Sequence, residues 1–171
     1  MQNLLNAYYA SSIGDFIEKS HNEILGEMTS NGNFNLELTQ RNAWEEEITI
    51  LKGELVYLEG HIFLEYDVPR IGSRIDAVVT ISGLLFIVEF KVGEKKFSRA
   101  DLNQAWDYAL DLKNFHAESH HLPILPILVA TEAPHTHPEL SKPHRDGVHY
   151  PMQASRSCIR DIIQEATKEI Q

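Results

Sequence analysis

Leu84-Leu85-Phe86-Ile87-Val88-Glu89-Phe90-Lys91-Val92 is bounded by Ser82-Gly83 on one side and by the polar run Gly93-Glu94-Lys95-Lys96 on the other. A short apolar run between turn signals reads as a strand buried on both faces. Inside it stand one carboxylate, Glu89, and one ammonium, Lys91. Two positions apart on a strand, they share a face. A buried charge is costly unless it is paired or holds a metal. Just upstream, Arg74-Ile75-Asp76-Ala77-Val78-Val79 reads as the preceding strand, joined through Ser82-Gly83 by a turn of hairpin type. It contributes a third charge, Asp76. A lone E-x-K pair is more commonly a salt bridge at a sheet edge. Three charges on adjacent strands predict a site built for a cation and an anion.

His61–Asp67 reads as a further strand, and residues 99–116 as a helix bearing Leu102, Ala105, Trp106, Ala109 and Leu110. Ile124–Ala130 is a second buried apolar run, with Pro126 marking its entry. Strand–helix–strand from 84 to 130 is a βαβ unit, whose strands should be parallel with a right-handed crossover. The hairpin before it should be antiparallel. The expectation is an α/β fold with a mixed central sheet flanked by helices. Upstream, Thr39 reads as the N-cap of a helix over about 40–57 with the stripe Trp44, Ile48, Leu51 and Leu55. Residues 12–28 read as one helix capped by Ser12, followed by a turn at Ser30-Asn31-Gly32-Asn33. Residues 132–157 are loose, and 156–170 read as an amphipathic helix. The chain therefore reads as one domain: a helical extension over 1–38, a core over 40–131, and a loop and helix over 132–171.

Composition suits that reading. At 171 residues and 43% hydrophobic, the chain can bury one sizeable core. A single cysteine, Cys158, leaves no intramolecular disulfide. No signal-peptide or membrane-span stretch appears, so a cytoplasmic location is expected. The net charge of −10 argues against a general polyanion binder, but residues 70–99 carry +3, leaving −13 for the rest. No Gly-rich phosphate loop and no nucleophile elbow appear, which excludes ATP hydrolysis by a P-loop and an elbow-type serine hydrolase. Among nine histidines, His120-His121 and His135-Thr136-His137 show no ligand set, and no cysteine pair supports zinc.

Asp76, Glu89-Phe90-Lys91 and Gln104-Ala105-Trp106-Asp107-Tyr108 follow one another as D…ExK…QxxxY. In order, spacing and predicted context this resembles the PD-(D/E)XK nuclease superfamily, over about residues 40–131. Pro69-Arg70-Ile71-Gly72-Ser73-Arg74-Ile75-Asp76 is similar to the stretch before the ExK strand in the nuclease-like N-terminal region of bacterial helicase-fused proteins of the Schlafen-like type. Ile75 stands where the superfamily's name has a proline, which many members also lack.

The resemblance implies a restriction-endonuclease-like αβββαβ core that hydrolyses phosphodiester bonds of DNA, or of RNA, with Mg²⁺ or Mn²⁺. It implies metal binding by Asp76, Glu89 and the Phe90 carbonyl. Lys91 would orient the attacking water or stabilise developing charge. Gln104 and Tyr108, at i and i+4 on one helix face, would line the site and touch the substrate backbone. Many members add a glutamate from the preceding helix; Glu47 borders the buried stripe, and Glu54 is a weaker alternative. Arg70, Arg74, Lys95 and Lys96 are candidate phosphate contacts. The resemblance also implies a role in defence against foreign nucleic acid or in nucleic-acid processing, and a fused or partner helicase, the chain then being a fragment of a longer protein. The contrasting expectation is a nuclease-fold module that binds nucleic acid or protein without cutting.

Overall fold

The computed structural model describes residues 6–32, 37–68, 70, 72–115 and 119–170. The chain opens with strand β1 (Tyr9–Ser12), helix α1 (Ile13–Glu18) and helix α2 (His21–Gly32). This corrects the reading of one helix over 12–28. Ser12 does cap, its Oγ accepting from the Asp15 N–H at 3.0 Å. The helix then stops at Lys19, and a capping box restarts it: Ser20 Oγ accepts from the Glu23 N–H at 3.1 Å, and Glu23 Oε1 accepts from the Ser20 N–H at 3.2 Å. Lys52 closes the end of α1 by donating to the carbonyls of Phe16, Ile17 and Lys19. Helix α2 runs through Ser30-Asn31-Gly32, where a turn was expected; Asn33 lies outside the described residues.

Helix α3 (Leu38–Leu55) starts earlier than its sequence suggests. The Arg41 N–H bonds to the Glu37 carbonyl at 3.0 Å, so the first turn forms ahead of Thr39, and Glu37 rather than Thr39 is the N-cap. Three strands follow, β2 (His61–Val68), β3 (Ser73–Ile81) and β4 (Leu84–Lys91), then helix α4 (Arg99–Phe115) and strand β5 (Ile124–Ala130). Strand β6 (Met152–Ala154), not read from the sequence, and helix α5 (Ile159–Ile170) complete the described chain.

Among the described residues the strands form one six-stranded mixed sheet in the order β1-β2-β3-β4-β5-β6. From β1 to β4 each strand is antiparallel to the next, whereas β4–β5 and β5–β6 are parallel. The order α3-β2-β3-β4-α4-β5 thus gives an αβββαβ core, with β1 and β6 added at its two edges. Gly60 enters this sheet so closely that a Cβ there would overlap the Thr80 carbonyl.

Helices cover both faces of the sheet, which is why β4 and β5 are buried along almost their whole lengths. Helices α1, α2, α3 and α5 lie on one face, where Phe16, Trp44, Leu51 and Ile163 meet Val79, Phe86, Val88 and Ile127. On the other face, Tyr108, Ala109 and Leu112 of α4 meet Val78, Leu85 and Ile87. Among the described residues no helix is long and apolar enough to cross a membrane.

Candidate active site

The β3–β4 ladder pairs Ile81 with Leu84 through to Ala77 with Val88. One step further, the same register would set Asp76 opposite Glu89, but there the two strands part. Two backbone donors at this fork are taken over by side chains. Glu89 Oε2 accepts from the Asp76 N–H at 2.7 Å, and Asp76 Oδ2 accepts from the Phe90 N–H at 2.8 Å. Each acid thus binds the strand of the other, which fixes both carboxylates and gives the Asp76 and Phe90 N–H groups their acceptors.

Strand β2 is distorted at the same level. Its pairing with β3 is in register on both sides, Leu64 with Ala77 and Tyr66 with Ile75, yet Glu65 and Asp76 between them are unpaired. Glu65 adopts a left-handed backbone, φ 54°, which costs a residue with a Cβ about 1–2 kcal/mol. Leu64 packs beneath α3 whereas Tyr66 packs beneath α4, although a regular strand would put both on one face. The guanidinium of Arg74 supports this kink: Nη1 donates to the Glu65 carbonyl at 2.9 Å, and the group lies 4.1 Å from the centroid of the Tyr8 ring.

The kink brings Glu65 to Asp76, and α3 presents Glu47 to both. One carboxylate oxygen from each of Glu47, Glu65 and Asp76 lies within 4.8 Å of the others. Glu47 and Glu89 are 8% and 5% exposed. Burial raises all four acids above their ordinary pKa, and repulsion from neighbouring carboxylates adds to it for Glu47, Glu65 and Glu89. Glu47 is pushed well up by burial, then by the charges of Asp76, Glu65 and Glu89. Glu89 is pushed well up by burial and the Asp76 charge, against the bond from the Asp76 N–H. Asp76 is raised by burial, with the Phe90 N–H pulling the other way. Glu65 reaches about 8 through burial and the Asp76 charge. Arg74 and the Trp44 indole temper that rise, although the indole Nε1 makes no formed hydrogen bond among the described residues.

Lys91 stands at the rim. Its Nζ is 3.3 Å from Asp101 Oδ1 and donates to Gln104 Oε1 at 3.5 Å, both on α4. Gln104 is exposed. Tyr108, one turn on, is buried, and its hydroxyl is 2.8 Å from Ser73 Oγ at the start of β3. Lys95 and Lys96 are exposed in the connection from β4 to α4. Arg70 forms an ion pair with Asp111 at 3.5 Å, while Arg74 is engaged by the β2 kink. Glu54 accepts from the Arg160 N–H at 3.2 Å, at the start of α5.

Asp76, Glu89, Lys91, Gln104 and Glu47 thus meet around one fork, with Phe90 supplying a donor and Tyr108 bracing the adjacent strand. Sequence reasoning missed Glu65, because in His61–Val68 it falls on the half-exposed positions of a regular alternation. The available signal was register: pairing His61 with Thr80 sets Glu65 opposite Asp76. Asp101 and Ser73 were also missed.

The clustered carboxylates of Glu47, Glu65 and Asp76, with Glu89 held beside Asp76, form a hard-oxygen donor set whose crowding a divalent cation relieves. The residues therefore fit such an ion. No protein-family model, curated protein or solved structure matches this chain.

Proposed function

We propose that this protein is a divalent-cation-dependent phosphodiesterase that cuts nucleic acid, of the PD-(D/E)XK type. The observation that supports it is the convergence of Asp76, Glu89 and Lys91 at the β3–β4 fork, joined by Glu47 and Glu65. A divalent ion such as Mg²⁺, or Mn²⁺ in its place, bound by Asp76 with Glu47, Glu65 and Glu89, would supply charge neutralisation and a more acidic water.

The chain's own groups do the rest. Glu89 and Asp76 are held by crossed backbone bonds, so their oxygens are preorganised. Lys91 offers a positive charge at the mouth, where a phosphate oxygen would approach. Asp101 and Gln104 hold that ammonium until substrate competes for it. Tyr108, through Ser73, fixes the strand that carries Asp76. Lys95 and Lys96 stand beyond Lys91, where they can follow a phosphate backbone. The substrate in this reading is DNA ahead of RNA, in the cytoplasm. With a net charge of −10, a fused or partner helicase would deliver it.

A second reading, a module that binds without cutting, draws on that same acidity and on the pairing of Lys91 with Asp101. One experiment separates the two. Labelled single- and double-stranded DNA and RNA are incubated with the chain in Mg²⁺, Mn²⁺ or EDTA, beside Asp76→Ala and Lys91→Ala. Metal-dependent cutting lost in both variants supports the nuclease. Metal binding without cutting points to an enzyme that needs its partner. Neither cutting nor metal binding leaves the binding module.

A further inference from the structure

We propose that His135, His137 and Asp161 form a second metal site, for a transition ion of the zinc class. One ligand atom from each lies within 4.8 Å of the others, and all three residues are exposed. Two imidazoles and one carboxylate form a donor set that suits Zn²⁺, Ni²⁺ or Co²⁺, whereas Mg²⁺ prefers oxygen alone. The carboxylate cage at the fork and this site therefore select different ions.

The histidines do not hang free in their loop. The Sγ of buried Cys158 donates to the carbonyl of Thr136, the residue between them, at 2.8 Å. Nδ1 of His135 lies 2.7 Å from Ser157 Oγ. That contact leaves Nε2 for a metal and fixes the ring, as the outer partners of metal-binding histidines do. Both anchors and the carboxylate come from residues 157–161, so one short segment holds the His135 ring, fixes the backbone between the two histidines and supplies the third ligand. A groove of about 800 Å³ opens beside His137 and Asp161, and water can fill the remaining coordination positions.

Such an ion would clamp the segment that leaves β5 onto the start of α5. Nearby, Arg156 pairs with Glu46 of α3 at 2.5 Å and with Glu132 at 3.7 Å. The clamp would therefore brace the same helix that carries Glu47.

The test is calorimetric titration of the full chain with Zn²⁺ in excess Mg²⁺. The wild type is compared with His137→Ala, Asp161→Asn, Ser157→Ala and the control His120→Ala, each also made in an Asp76→Asn background. The proposal expects one Zn²⁺ per chain, a raised melting temperature on loading, and both effects lost in H137A and D161N. S157A should weaken binding about tenfold, and H120A should leave it unchanged. Persistence in the D76N background would separate this site from the carboxylate cage. Melting without zinc reports whether each variant folds, and His137→Gln replaces H137A should that one fail. Absence of zinc binding overturns the proposal, as does binding that H137A and D161N leave intact.

Discussion

The two ends of the β3–β4 hairpin are built from the same two strands to opposite purposes. At the turn end, the ladder is complete from Ala77–Val88 to Ile81–Leu84, and Val79, Phe86 and Val88 are fully buried among apolar neighbours. At the open end, the next pair would be Asp76–Glu89. There the ladder gives way to side-chain acceptors, the neighbouring strand holds a left-handed glutamate, and Glu47, Glu65 and Asp76 crowd together beside Glu89. Local preference and global fold agree at one end and conflict at the other. Such conflict is what a functional site in a folded chain looks like. One end holds the sheet together, and the other gives up stability for an arrangement of charge.

Neutralising the open end should have the largest effect. Asp76→Asn keeps an oxygen to accept from the Phe90 N–H but removes a charge. If the protein is the nuclease proposed above, cleavage should fall about a thousandfold, since metal-assisted charge stabilisation contributes several kcal/mol to the barrier. The same change should raise the melting temperature of the metal-free protein at pH 8, because one buried charge is gone. Activity and melting curves on one preparation check both; a variant both less active and less stable would put Asp76 in the structural part of the hairpin.

Phe86→Ala is the mirror experiment at the closed end. Truncating a fully buried aromatic costs about 3–5 kcal/mol. Urea denaturation should show a lower midpoint, while the residual folded fraction keeps its cleavage per molecule. Loss of activity beyond the unfolded fraction would mean that the two ends are coupled.

The pH dependence separates the ends without mutating either. Glu65 has an ordinary value of 4.5 and a folded value of about 8. Between them the unfolded chain has lost its proton and the folded chain keeps it, so stability falls as pH rises through that window. The contribution of Glu65 to that loss is on the order of a few kcal/mol in EDTA and levels off above its own folded value. Glu65→Gln should make the profile shallower, the raised Glu47, Asp76 and Glu89 still adding in the same direction, and Mg²⁺ should restore stability at the alkaline end, because its ligands bind as carboxylates. Thermal melts across the window in EDTA and in Mg²⁺ read this directly. A stability that rises with pH in EDTA would mean that the acids are already compensated by something else.

The same contrast explains how much was legible beforehand. The closed end was readable because its signals are local: an unbroken apolar run, a Ser-Gly turn, and helix periodicity in the crossover that follows. Asp76, Glu89 and Lys91 were readable because charges inside such a run violate it. Glu65 was not, because a glutamate in a regular alternation looks solvated until the sheet register sets it beside Asp76. Strand β1 is four residues long and abuts a helical stripe of Ile13, Phe16, Ile24, Leu25 and Met28, so the stripe swamped it. The break after α1 did leave a trace in the Ser20–Glu23 capping box. Strand β6 has three residues and, among the described residues, pairs with β5, a fact that no local pattern carries.

The smallest effect lies in the turn itself. Ser82 and Gly83 both have positive φ, 52° and 77°, which is the backbone of a two-residue hairpin with a primed turn. No atom would crowd a Cβ at Gly83, so Gly83→Ala isolates the conformational cost from any steric one. That cost is about 1 kcal/mol, partly offset because alanine also restricts the unfolded chain. The melting temperature should drop by a few degrees, and the metal-dependent activity should not move, because the turn lies at the far end of the ladder from Asp76 and Glu89. Activity that fell with the turn would show the hairpin behaving as one lever, and the division between a holding end and a working end would have to be given up.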